Sequence, residues 1–135
     1  MSPKFARPDP GDLPQMLAEA HEMYDGALAE SAGRGKAAAS LAINAAVRSS
    51  DCICVAELGY HSAAASHAAA IDVLSQTTDA EPLTEALSAA LSLKSLYNYQ
   101  HGPADESSVD DVIANARTLL DAADERVAAA DLGDS

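Results

Sequence analysis

The chain has 135 residues and a formal net charge of −13 at pH 7, with 48% hydrophobic but only 4% aromatic residues. This length fits one domain, and the shortage of aromatic and β-branched residues excludes an all-β fold. The negative charge repels a polyanion and excludes a general nucleic-acid coat protein, although a local basic pocket is compatible with it. Neither a long apolar run nor a signal peptide is visible, which predicts a cytoplasmic protein without a membrane segment.

Hydrophobic periodicity divides the chain into a leader, a helical domain and a short tail. Residues 1–12 contain three prolines and no periodicity, and they are predicted to form a flexible leader. The domain covers 13–130, and 131–135 are predicted to fray. Apolar residues at three- and four-residue spacing predict five helices, over 13–31, 36–58, 62–75, 82–97 and 107–130. Their short connections favour an all-α, up-and-down bundle of four to five helices.

The second helix is apolar almost all round, which predicts that it lies at the centre of the bundle. Two alanine-rich blocks, 37–46 and 63–70, indicate that the second and third helices approach each other or a partner subunit closely. Ser62 is the predicted N-cap of the third helix. The alanine-rich faces exceed what one small bundle needs, so we expect a homodimer.

Cys52 and Cys54 are the only cysteines, and they lie two residues apart in the second helix. Residues at this spacing point about 200° apart on a helix, so the two thiols can neither pair nor share a metal there. We expect small buried hydrophobic residues, with a metal or redox site as the alternative. No cofactor is predicted.

Three polar residues of the second helix, Asn44, Arg48 and Asp51, share one face at i, i+4 and i+7. Because unpaired polar groups are costly to bury, something must satisfy them. One interpretation is an Arg48–Asp51 pair, with Asn44 bonded to a neighbouring helix. The other is a polar floor to a pocket, completed by a second subunit.

Two of the four histidines, His61 and His67, flank the predicted start of the third helix. A pair of histidines near a helix N-terminus is suited to act as general acid and general base around a phosphodiester. On a continuous helix they would point about 120° apart, so His61 must precede the helix or act from another subunit. By contrast, His21 is predicted to be a surface residue.

Tyr97 and Tyr99, with Lys94 one turn earlier, form a cluster of aromatic and basic residues in the second half of the chain. Tyrosine rings that cap the end of the bundle are the simpler interpretation. A contact to a phosphate or a base is the alternative.

Over roughly residues 13–130 the chain resembles the HEPN superfamily, and most closely its small single-domain actinobacterial members. The resemblance is carried by SLAINAAVRSSDCICVAELGYHSAAASHAAAIDVL, by LSLKSLYNYQ and by VDDVIANARTLLDAADERV. It implies a bundle of four or five helices, commonly a homodimer. Ribonuclease members of the superfamily use an arginine that is followed, after four to six residues, by a histidine.

In this resemblance His67 matches the motif histidine, and His61 occupies the arginine position. Asp51 corresponds to the acidic residue of the preceding helix, and Lys94 and Tyr99 correspond to the later lysine and tyrosine. A histidine at the arginine position lacks a permanently charged, planar fork for phosphate. Arg48 is the candidate to replace that guanidinium.

Three functions compete at this point. The preferred one is a HEPN-like dimeric interaction module with weak or no catalysis, in a toxin–antitoxin or phage-defence setting, because acidity suits protein partners better than RNA. The second is a metal-independent endoribonuclease in which His67 moves a proton, His61 or Arg48 holds the phosphate and Asp51 orients the cation. The third is a small-molecule or nucleotide binder near Asn44, Asp51 and Tyr99.

Overall fold

The computed structural model describes residues 5–31, 33, 35–64, 66–99 and 106–133. Five α-helices account for most of these residues, which confirms the prediction of an all-α bundle. They are α1 (Leu13–Glu30), α2 (Gly35–Leu58), α3 (His67–Leu74), α4 (Ala80–Tyr99) and α5 (Glu106–Gly133). A short antiparallel pair of strands, β1 (Phe5–Ala6) and β2 (His61–Ser62), accompanies them.

Helix α2 is the centre of the bundle, as its sequence predicts, and it packs against α1, α4 and α5. Its alanines have no exposed surface at five positions, where the small side chains allow neighbouring helices to approach closely: Ala38, Ala39, Ala42, Ala45 and Ala46. Helices of the same chain therefore bury these five alanines of the first alanine-rich block. Their side chains have no surface left for a partner subunit.

The third helix begins later than predicted. It begins at His67, and Ser66 is its N-cap, with an extended backbone and a side-chain oxygen that accepts from the amide of Ala69 at 3.4 Å. The prediction of Ser62 as N-cap is wrong, because Ser62 lies in β2 opposite Phe5. Both serines precede alanine-rich sequence, so a local pattern does not choose between them.

Residues 5–12 of the predicted leader are packed onto the bundle. β1 pairs with β2, and the Phe5 ring lies edge-on to Tyr60 with centroids 5.2 Å apart. The Arg7 guanidinium lies 5.2 Å from the centre of the same Tyr60 ring, and Pro10–Asp12 forms a 3-10 helix that leads into α1. We call residues 5–12 the N-terminal strap.

Both cysteines are buried and free, which confirms their interpretation as small buried hydrophobic residues. Burial raises the pKa of each thiol to about 12, so neither is a thiolate at neutral pH. Within the part of the chain described, no helix has the length and hydropathy needed to cross a bilayer.

Arg126 of α5 connects α2, α5 and the turn between α3 and α4. Its Nε donates to Glu57 Oε2 at 2.8 Å, and its Nη2 donates to the Thr78 carbonyl at 3.1 Å. The Thr78 amide in turn donates to Glu57 Oε1 at 3.0 Å. Burial alone would raise the pKa of Glu57, but the bonds from Thr78 and Arg126 outweigh it and lower that pKa.

Candidate functional site

The turn after α2 brings His61 back beside Asp51. Gly59 adopts a φ of 84°, in the left-handed region that glycine enters without strain, and its amide donates to the Val55 carbonyl at 3.0 Å. The chain then reverses into β2. As a result His61 lies next to a residue two helical turns before the end of α2.

His61 and Asp51 form a largely buried pair, with side chains 16% and 17% exposed. The Nδ1 atom of His61 lies 3.0 Å from the Ser62 carbonyl oxygen and 3.6 Å from Asp51 Oδ1. A carbonyl only accepts, so Nδ1 carries the proton and the neutral ring keeps its lone pair on Nε2. This arrangement leaves Nε2 as the nitrogen that can exchange a proton with a ligand.

Burial raises the pKa of Asp51 from 3.8 to about 6. The nearby His61 and Arg48 act in the opposite direction, but they do not compensate for the lost hydration of the carboxylate. Asp51 therefore titrates close to neutrality. A carboxyl group with this raised pKa, placed beside an imidazole, is suited to general acid–base chemistry.

Arg48 pairs across helices instead of along its own helix. Its Nε lies 3.5 Å from Glu19 Oε2 of α1, with side chains 35% and 38% exposed. The predicted Arg48–Asp51 pair is therefore replaced by two separate pairs, Arg48 with Glu19 and Asp51 with His61. The i, i+3 rule finds only partners on the same helix and cannot find these.

A pocket of ≈ 410 Å³ is lined by Glu19 and Arg48 of the first pair and by His61 of the second. The N-terminal strap, α1, α2 and β2 contribute its lining, which consists of Pro8, Asp12, Gln15, Met16, Glu19, Arg48 and His61. Of the three residues predicted to form a polar floor on α2, Arg48 lines this pocket and Asn44 and Asp51 do not, and its other wall is α1 of the same chain.

The remaining predicted site residues do not join this pocket. Asn44 is exposed, so the expectation that it is buried and needs a partner is wrong. His67 is exposed at the first position of α3 and does not line the pocket that contains His61 and Arg48. Lys94 and Tyr99 belong to α4, but their side chains lie outside the described residues.

Sequence analysis missed the contribution of α1. Asp12, Gln15, Met16 and Glu19 have the spacing i, i+3, i+4 and i+7, which places them on one face of the helix start. The polar residues among them, Asp12, Gln15 and Glu19, form a stripe that the sequence could have indicated. His21, expected at the surface, is about half-exposed and bonds through Nε2 to Asp124 Oδ1 of α5 at 2.6 Å.

The residues that the structure describes contain no group of three or more histidine, cysteine or acidic side chains arranged to hold a metal ion. Comparison of the chain with models of known families, with curated proteins and with solved structures finds no match. Membership of the HEPN superfamily stays a prediction that is based on the sequence motifs.

Proposed function

We propose that the chain is a HEPN-like dimeric interaction module, with weak or no catalysis, that binds a protein partner in a toxin–antitoxin or defence setting. One observation carries the argument against RNA cleavage. Arg48 and His61 lie beside the carboxylates of Glu19 and Asp51, while the motif histidine, His67, is exposed outside their pocket.

A ribonuclease site must hold a phosphodiester between a cation and a proton donor. Here the cation nearest to the pocket, Arg48, has Glu19 at 3.5 Å, and Asp12 lines the same pocket. These carboxylates repel phosphate locally, and the net charge of −13 repels RNA at longer range. The charges support binding of a protein partner over binding of RNA.

We expect the unmodified chain to cut single-stranded RNA weakly or not at all, because His61 stands at the arginine position of the motif and Glu19 lies against Arg48. His61→Arg supplies a permanently charged phosphate clamp and should increase RNA affinity by at least about tenfold, since a charge-assisted bond of this type contributes on the order of 1.5–3 kcal/mol. Gel-based cleavage and fluorescence anisotropy on one labelled RNA measure both effects. Robust cleavage that disappears in His67→Ala, with an unchanged helical signal, would contradict the proposal.

A metal-independent endoribonuclease is the second candidate, and the Asp51–His61 pair is the observation that favours it. A carboxyl group with a raised pKa next to an imidazole, close to Arg48, is suited to acid–base chemistry without a metal. In the assay above this candidate predicts cleavage that resists chelation and is lost in His67→Ala and in His61→Ala.

We propose that the dimer interface includes the second alanine-rich block, residues 63–70, and the neighbouring surface of α3 and α4. Ala68 is exposed on α3, and a shallow groove of ≈ 490 Å³ between α3 and α4 is lined by Ile71 of α3 and by small or polar side chains of α4: Thr84, Glu85, Ser88, Ala89 and Ser92. Small side chains on such a face let the helices of a second copy approach closely.

We expect light scattering at micromolar concentration to give about twice the chain mass, and Ala89→Arg to shift the protein to monomer by placing a long cation in the groove. Ala114→Arg is the matched control, because Ala114 is exposed on α5, away from the groove. A monomeric parent chain would refute the dimer, and a dimer in both variants would refute the α3–α4 interface.

A further inference from the structure

We propose that the pocket between α1, α2 and β2 binds a small zwitterion, a molecule with one carboxylate and one ammonium group on a short apolar body. L-Leucine is an example of this class. The inference goes beyond the interaction module and does not depend on dimer formation.

Arg48 supplies the cationic side of this pocket. Its side chain is about two-thirds buried, and its contact with Glu19 is an ion pair at 3.5 Å without a hydrogen bond. Among the described residues, Glu19 is the partner seen for this guanidinium, whose planar fork has five N–H donors. Such a planar fork beside a pocket fits a carboxylate, which it can bond through both oxygens.

His61 adds a second polar group on the same side. Its Nδ1 bonds to the Ser62 carbonyl oxygen, and Asp51 Oδ1 lies 3.6 Å from the same nitrogen. Nε2 is the ring atom left for the pocket that His61 lines. The imidazole can therefore bond the same carboxylate when it is protonated, or accept from a ligand N–H when it is neutral.

The α1 side of the pocket is anionic. Glu19 pairs with Arg48 at the long distance of 3.5 Å, and the Asp12 carboxylate makes no capping bond to the start of α1 although Asp12 is the N-cap residue. Gln15 lies between them on the same helix face. Two carboxylates on this side provide acceptors for an ammonium group.

The two sides together select a ligand that carries both charges. A phosphate or a simple carboxylate would be attracted by Arg48 but repelled by Asp12 and Glu19. A simple amine would be repelled by the Arg48 guanidinium. Pro8 and Met16 add apolar surface for a short aliphatic body. The volume of ≈ 410 Å³ falls in the range of small-molecule pockets, roughly 300–1,000 Å³.

Calorimetric titration with three related probes tests this inference. L-Leucine has both charged groups, isocaproate lacks the ammonium, and isoamylamine lacks the carboxylate. We expect L-leucine to bind at least about tenfold more tightly than either of the other two, because each loses one charge-assisted contact. Arg48→Met and Glu19→Gln should each weaken L-leucine binding by about tenfold or more.

Asn44→Ala is the matched control, because Asn44 is exposed one turn from Arg48 and does not line the pocket. Its L-leucine affinity should equal that of the parent chain, and circular dichroism verifies that all variants are folded. No heat of binding with L-leucine at millimolar concentration would overturn the proposal. Equal affinity for isocaproate, or undiminished affinity in folded Arg48→Met, would overturn it as well.

Discussion

Replacing Arg126 with methionine is expected to lower the free energy of unfolding by about 3 kcal/mol, more than replacing any exposed arginine. The side chains of Arg126 and Glu57 are only 16% and 19% exposed, so the change leaves a largely buried carboxylate without its cation. It also removes the bond to the Thr78 carbonyl. Urea unfolding followed by circular dichroism measures the effect.

Arg117→Met is the control for this variant. Arg117 is 57% exposed and pairs with Asp121 one helical turn away, so its loss should cost less than about 1 kcal/mol. The double variant Glu57→Gln/Arg126→Met should be more stable than the sum of the single losses predicts, because neither charge is then left alone. If Arg126→Met and Arg117→Met lowered the free energy of unfolding equally, the result would contradict a stabilising role for the buried Arg126–Glu57 pair.

Asp51→Asn is expected to stabilise the protein by about 1–3 kcal/mol at about pH 8 and to have little effect at about pH 4. The pKa of Asp51 is raised from 3.8 to about 6 in the folded chain, so the folded state holds this proton more tightly than the unfolded state. The stability from this group is therefore present below about pH 4 and is lost as pH rises through about 6. Asparagine removes the cost of burying the charge.

Urea unfolding of both proteins at several pH values checks this expectation. Asp25→Asn is the control, because Asp25 is exposed on α1 and its replacement should change stability little at any pH. A stability difference between Asp51→Asn and the parent that shrinks as pH rises would show that the sign of the argument is wrong.

Much of the fold could be predicted because the longest helices have strong local signals. The apolar periodicity of α1 and the continuous apolar surface of α2 give their bounds to within one residue. The pairing of β1 with β2 could not be predicted, since two-residue strands have no pattern of their own and form only where the bundle brings them together. The same pairing decides where α3 begins.

The candidate site was harder to predict than the fold. Arg48, Asp51 and His61 were recognised as candidates from their residue types, but their partners depend on packing between distant parts of the chain. Glu19 reaches Arg48 because α1 packs on α2, and His61 reaches Asp51 because Gly59 turns the chain back. Sequence spacing identifies neighbours along one helix and contains no information about these contacts.

The position of α2 within the bundle has a consequence for synthesis on the ribosome. α2 leaves the ribosome before α5, one of the two helices that bury most of its surface, and α3 and α4 lie between them. At ordinary elongation rates of about 5–20 residues per second this delay lasts roughly 4–15 s, during which apolar surface of the nascent chain is uncovered. We infer that holding chaperones are most useful to this protein in that interval and that strong overexpression favours inclusion bodies.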